Sequence, residues 1–295
     1  MNKNEIRVSL LMTMGTFFWA GAFIAGKMGI HLLSPLILTF LRMFLATVII
    51  FPFMVMREGD NWKIKREDIK YAVATGVVGM IGYHIFFFYA LKYTDASKAA
   101  MINAINPLLT AMLAAVFLKE KLSPRKTFFI LTALVGVILT LSNWNVGNII
   151  NFNFNIGDLL MFTGAAMWAI YSIIVKKVMH RFTPLKLTTY TFVTAAAFTF
   201  PFALPELINL DLQAIGWMPF LAVLYMAVFP SVLGYTIQQM AIKELGAART
   251  ALFINLVPVL SAIMAVVFLG EQLFRLNIVS GIIIIISVIM FTRQK

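Results

Sequence analysis

Residues 15–35 read GTFFWAGAFIAGKMGIHLLSP, and residues 164–184 read GAAMWAIYSIIVKKVMHRFTP. At a shift of 149 positions, Gly15 meets Gly164, Trp19 meets Trp168, Lys27 meets Lys176, His31 meets His180 and Pro35 meets Pro184. Phe51-Pro52-Phe53 falls on Phe200-Pro201-Phe202 at the same shift. A shift of 151 continues the match, with Ala90 on Ala241, Lys92 on Lys243, Pro107 on Pro258 and Glu120 on Glu271. Chance pairing in an apolar chain gives Leu and Ile coincidences. It does not bring Trp, His, Pro and Glu into register. The chain is an internal duplication.

Each copy holds five apolar runs of about 20 residues, the length that crosses roughly 30 Å of hydrocarbon at a rise of about 1.5 Å per residue. Of the 295 residues 61% are hydrophobic and 12% charged, whereas a soluble domain carries about 25% charge. We expect spans near 8–29, 35–56, 70–91, 97–118, 126–142, 157–179, 186–205, 217–241, 248–269 and 276–292. Breaks at Ser34-Pro35, Ser123-Pro124, Thr183-Pro184 and the Asn-rich stretch 143–155 separate them. The expected fold is an all-α membrane protein of ten transmembrane helices in two repeats, 1–142 and 156–292.

Five is odd, so the second copy enters the bilayer from the opposite side. The basic residues agree. With a cytoplasmic N-terminus, 19 of the 24 Lys and Arg residues fall on the inner side and four on the outer (Lys27, Lys92, Lys98 and Arg275), with Arg42 inside a span. This asymmetry predicts two cytoplasmic termini in a plasma membrane. Inverted repeats related by an axis in the membrane plane are a transporter architecture, and they predict a central cavity between the halves.

The net charge of +12 would suggest nucleic acid in a soluble protein. Here the basic residues sit between apolar runs, where they set orientation, and no nucleic-acid partner is expected. Cysteine is absent, which excludes disulfides and thiolate metal sites. No metal or cofactor is expected; the partners are the lipid bilayer and a small-molecule substrate. The first apolar run follows only Lys3, Glu5 and Arg7, the layout of a signal peptide, but its length and its internal copy predict that it is retained.

Chemistry inside a bilayer is confined to the few polar side chains at depth. Trp19 and Trp168 fall at the middles of spans 1 and 6, too deep for an interfacial belt. Either they pack in the core or their indole N–H groups meet a polar cavity. Pro107 and Pro258 fall at the centres of spans 4 and 9, where each should act as a hinge, freeing the carbonyls of Asn103 and Ile254. Asn103, Asn106 and Thr110 share one helix face, and Asn255 and Ser261 bracket the matching kink. They read as cavity lining or as interhelical hydrogen bonds.

Span 3 adds Tyr83 and His84, span 8 adds Tyr235, Gln238 and Gln239, and Tyr171 follows Trp168 by one turn. An ionisable residue within a span is a functional candidate by default, against the alternative of a neutral imidazole bonded between helices. Arg42 either snorkels to the outer interface or contacts an anionic substrate group. Glu120 and Glu271 lie just past the ends of spans 4 and 9, where the helix dipole disfavours an anion. They read as structural anchors.

These stretches resemble the EamA-type members of the drug/metabolite transporter superfamily, which have ten helices and two repeats. The resemblance is carried by Trp19-Ala20-Gly21-Ala22-Phe23 with Lys27, by Ala90-Leu91-Lys92-Tyr93-Thr94 through Asn106-Pro107 to Phe117-Leu118-Lys119-Glu120, and by Ala241 through Pro258 to Glu271. It implies a helical basket around a central substrate cavity, exporting amino acids, related metabolites or drugs. It also implies that Tyr83, His84 and Trp168 lie near substrate. The family's usual Trp-Gly is absent: Trp19 precedes Ala20, and Trp168 precedes Ala169.

The expected function is a secondary transporter, an exporter of small metabolites such as amino acids working by alternating access. A passive facilitator or channel is the alternative. A membrane-embedded transferase would need a general base or metal set, and the three histidines are dispersed, so no enzyme is expected. Tags placed at the two chain ends should both be protected in intact cells; labelling of one end alone from outside would refute the ten-span topology.

Overall fold

The computed structural model describes residues 3–119, 122–151, 154–211, 216–245 and 253–293. The described elements are helical. Spans 1 and 2 are continuous helices, Lys3–Ile30 and Pro35–Glu58. Span 3 runs Arg66–Tyr93 and span 4 Ala96–Phe117. Spans 5, 6 and 7 are Pro124–Ser142, Ile156–Val178 and Pro184–Ile208. Span 8 runs from Met218 to Leu245, the described part of span 9 includes Val257–Leu269, and span 10 is Arg275–Arg293.

The span starts follow from local chemistry. Ser34, Ser123 and Thr183 are N-caps whose hydroxyls accept from the N–H groups of Ile37, Lys126 and Lys186, and a proline follows each at the first helical position. Proline lacks an N–H that would be orphaned there, and each cap contributes about 1 kcal/mol. Asn155 does the same for span 6 through Gly157 N, at 2.7 Å. Span 5 shows how a helix meets lipid. Phe128, Leu131, Val135 and Ile138 form an exposed apolar stripe, while Ile130, Ala133 and Val137 are buried against span 10.

Spans 2 and 7 pair head to tail. The N-cap Ser34 of span 2 donates to Glu206 near the end of span 7, and the N-cap Thr183 of span 7 donates to Glu58 at the end of span 2, at 2.5 Å. The start of each helix meets the finish of the other, so the two copies run in opposite directions. The remaining packing has the same symmetry. Spans 4 and 9 pair, as do 5 and 10, and the contact of span 1 with span 8 is mirrored by that of span 6 with span 3. The most extensive contacts cross between the halves. The turns near residues 30–35, 93–96 and 269–275, with Asn143 and Asn155, share one end of the bundle, here the far end. The ends at Lys3 and Arg293 share the near end.

Two irregular pairs interrupt this order. Gly76–Gly82 in span 3 and Ala227–Leu233 in span 8 are π-helical, at the repeat offset of 151. Spans 4 and 9 are broken at residues 104–105 and 255–256, again at that offset. The prolines were expected to kink continuous helices. Instead each stands in the first turn of a new helical segment, Asn106–Phe117 or Val257–Leu269, after a two-residue turn. The physical reason is the same: Pro107 offers Asn103 no N–H, and the helix restarts where the missing donor does least harm.

The π segment of span 3 also makes room for a neighbour. Gly79 faces the Tyr171 ring so closely that a Cβ there would overlap it. Gly79→Val should therefore lower stability by about 1–3 kcal/mol, measured as a fall in the thermal midpoint of the purified protein. An unchanged midpoint would show that this contact is slack.

Candidate functional site

A cavity of about 440 Å³ lies at mid-depth between the two halves. Spans 1, 2, 3 and 4 face spans 6, 8 and 9 across it. Trp19, Tyr83, His84 and Arg42 line it from the first repeat, with Asn103, Asn106 and Pro107 from the break in span 4. Trp168, Tyr235 and Gln238 line it from the second, with Asn255 and Pro258 from the break in span 9. One expected residue is not on this wall. Tyr171 sits one layer back in the slot above Gly79, with its ring 4.9 Å from Trp168, so it supports that indole. The side chain of Gln239 lies outside the described residues. Phe87, Phe23 and Ser172 complete parts of the lining; the two phenylalanines have no polar or proline signal to single them out, and the Ser172 hydroxyl is bonded to the Trp168 carbonyl.

The aromatic wall is a connected set. Trp168 lies 5.0 Å from Tyr83 and 6.1 Å from Tyr235, and Tyr235 lies 6.5 Å from Trp19 between ring centroids. Phe87 packs on Tyr83 at 5.7 Å and on Phe23 at 5.0 Å. Such tilted and edge-on pairs hold the rings in fixed orientation.

The π segment of span 8 anchors two of the polar residues. Trp19 Nε1 donates to the Pro230 carbonyl at 3.1 Å. Arg42 Nε donates to Ser231 Oγ at 3.1 Å, and Ser231 Oγ donates to the Met226 carbonyl at 2.9 Å. Arg42 is 5% exposed and turned into the cavity, so it does not snorkel. No Asp or Glu forms an ion pair with it among the described residues. His84 Nδ1 lies 2.8 Å from the Met80 carbonyl. A carbonyl only accepts, so Nδ1 carries a hydrogen, and in the neutral tautomer Nε2 is then an acceptor. Asn106 Nδ2 donates to Asn103 Oδ1 at 3.0 Å. Asn106 Oδ1 and Asn255 Nδ2 are buried without a hydrogen-bond partner among the described residues.

The far end of the bundle is tied by a buried polar network that the sequence reading missed. Lys27 Nζ donates to the carbonyls of Leu91 and Thr94, at 2.8 and 2.6 Å, closing the end of span 3. Thr94 donates to Asp158 at 2.6 Å, and Asp158 pairs with Lys98 at 2.5 Å. Lys98 also donates to Asn143, at 3.0 Å. Glu271, at the disfavoured end of its own helix, finds its partners elsewhere. It accepts from Ala96 N, Ser97 N and Ser97 Oγ, at 2.7, 3.1 and 2.6 Å, so it caps the start of span 4 from the other repeat. The positive end of that helix favours its charge. Burial, then the Glu271 charge, raise the Asp95 carboxyl above its ordinary value, against the opposing pull of Lys27 and Lys98. Glu120 and Lys121 lie outside the described residues.

The EamA-like transporter family matches the chain twice, over residues 6–142 and 155–293. The chain is similar to the uncharacterized transporter YyaM of Bacillus subtilis (strain 168), 31% identical over 280 residues, covering 95% of this chain and 92% of that protein. It is similar to an uncharacterized transporter of Archaeoglobus fulgidus, 28% identical with 98% of each chain covered. A probable terminal-alkyne amino-acid exporter of Streptantibioticus cattleyicolor is 24% identical over 97% of this chain and 93% of its own. A solved crystal structure shares the fold at a TM-score of 0.65 and 18% identity, with 98% of both chains covered. The chain belongs to the EamA-like transporter family. It is a multi-pass membrane transporter for small solutes and not an enzyme.

Lys98→Met would leave the Asp158 carboxylate buried and unpaired, at a cost of about 3–5 kcal/mol. The thermal midpoint should fall, and a second change, Asp158→Leu, should restore much of it. A single mutant as stable as the parent would show that the pair contributes nothing.

Proposed function

We propose that the chain is a secondary carrier that exports small metabolites, amino acids among them, across the plasma membrane by alternating access. The observation that carries this reading is the mid-depth cavity, walled by equivalent spans of two oppositely directed halves and flanked by the broken helices of spans 4 and 9. Two similar halves facing opposite ways have two arrangements of similar energy, each opening the cavity to one side. Export is supported by the probable amino-acid exporter among the relatives.

In this reading Trp168, Tyr83, Tyr235 and Trp19 hold the apolar body of the substrate. Asn103, Asn106, Gln238, Asn255 and His84 meet its polar groups, and Tyr171 keeps Trp168 in place. Pro107 and Pro258 are the hinges, because each begins the helical segment that can swing about its two-residue turn.

Counterflow in proteoliposomes tests the proposal. Unlabelled substrate on the far side should accelerate entry of labelled substrate, as a carrier requires; indifference to it would leave a channel. Trp168→Ala should cut exchange by more than about tenfold, the loss of roughly 1.4 kcal/mol of contact, with expression unchanged. Exchange at the parental rate would remove Trp168 from the site.

A further inference from the structure

A buried ion that serves structure is paired with a counter-charge, and this chain contains one. Asp158 has Lys98 as its counter-charge and Thr94 as a further donor. Arg42 has no such counter-charge among the described residues. It is buried in a membrane span, its Nε meets only the Ser231 hydroxyl, and it faces the cavity. The ionisable groups that interact with it electrostatically are the phenols of Tyr235, Tyr83 and Tyr225 and the His84 imidazole, none of them a carboxylate. Among the described lining residues there is no Asp or Glu.

A guanidinium has five N–H donors in a planar fork. Ser231 takes Nε–H, and Ser231's own hydrogen is spent on Met226. The four hydrogens on the two Nη atoms have no protein acceptor among the described residues. Their spacing matches the two oxygens of a carboxylate. Burying a cation at this depth without a counter-charge is costly, and the substrate is the component that can supply one.

We propose that the cavity selects small organic anions. An aromatic or branched apolar body lies against Tyr83, Trp168 and Tyr235, and its carboxylate takes the free edge of Arg42. This rests on the cavity being the substrate site, as proposed above. His84 Nε2 and Asn106 Oδ1 are acceptors that tolerate an amino group on the same molecule, so zwitterions fit as well as simple anions. An amine without a carboxylate does not fit. It would place a second cation beside Arg42 in a low-dielectric space, with no acid to neutralise either.

Three compounds with one phenyl body separate these charges: 3-phenylpropanoate, phenylalanine and 2-phenylethylamine. Isothermal titration of the purified full-length protein should show binding of the first two. The amine should bind roughly thirty-fold more weakly or worse, as expected where one partner of a buried charge pair is missing. Arg42→Gln should erase that preference, and Arg42→Lys should retain part of it, because a point charge keeps attraction but loses the fork. If Arg42→Gln does not fold, the series on the parent protein still decides. An amine that binds as tightly as the carboxylates, a preference that survives Arg42→Gln, or binding by none of the three would overturn the proposal. Carboxylate preference without counterflow would keep the anion site and defeat the carrier reading. Counterflow of the amine would do the reverse.

Discussion

A backbone N–H or carbonyl that leaves its helix inside hydrocarbon has no water to turn to, and each such group costs several kcal/mol unless something polar meets it. Irregular backbone at that depth is tolerated only against protein or an aqueous cavity. The four irregular segments within the described spans obey the rule. The breaks in spans 4 and 9 line one space, and the π segments of spans 3 and 8 end where Tyr83 and Tyr235 enter its wall. Side chains meet backbone carbonyls there: Trp19 reaches that of Pro230, and the Ser231 hydroxyl reaches that of Met226. The cavity and the broken helices are one solution to one constraint.

The pairing of the halves shapes how that space is held. Spans 2 and 7 exchange N-cap bonds at both ends, so neither can slide along the other without breaking a capping hydroxyl's contact. At the far end, Lys27, Thr94, Asp158, Lys98 and Glu271 connect spans 1, 3, 4, 6 and 9. These groups are bonded to one another across helices and across the repeat boundary. A movement that parted the far ends would have to find them new partners, so the network sets an energetic threshold on opening there.

Much of the fold could be read from residues that are expensive in lipid. Trp, Pro and His recurring at a fixed shift revealed the duplication, and the odd number of apolar runs per copy implied the inversion. The cavity wall was legible for the same reason, since Asn103, Asn106, Arg42 and His84 have no place against lipid. What stayed hidden came from geometry that composition does not carry. The π segments follow from a Gly76, Gly79, Gly82 spacing in one copy and Pro230-Ser231 in the other, two different sequences reaching one shape. Tyr171 has the character of a lining residue, but the missing side chain at Gly79 draws its ring into a slot behind Trp168. Glu271 looked misplaced at the end of its own helix because its partner helix belongs to the other repeat.

The crossing of contacts between repeats also bears on how the protein is made. A ribosome delivers span 1 long before span 8, yet span 1 packs chiefly on spans 8 and 9, and span 2 on span 7. The first five helices must therefore wait in the bilayer with their small and polar faces largely unmatched. The start of span 4 lacks its carboxylate cap until residue 271 has been synthesised. Assembly is accordingly a late event that closes over the whole chain at once, and the first half has no finished structure to settle into on its own.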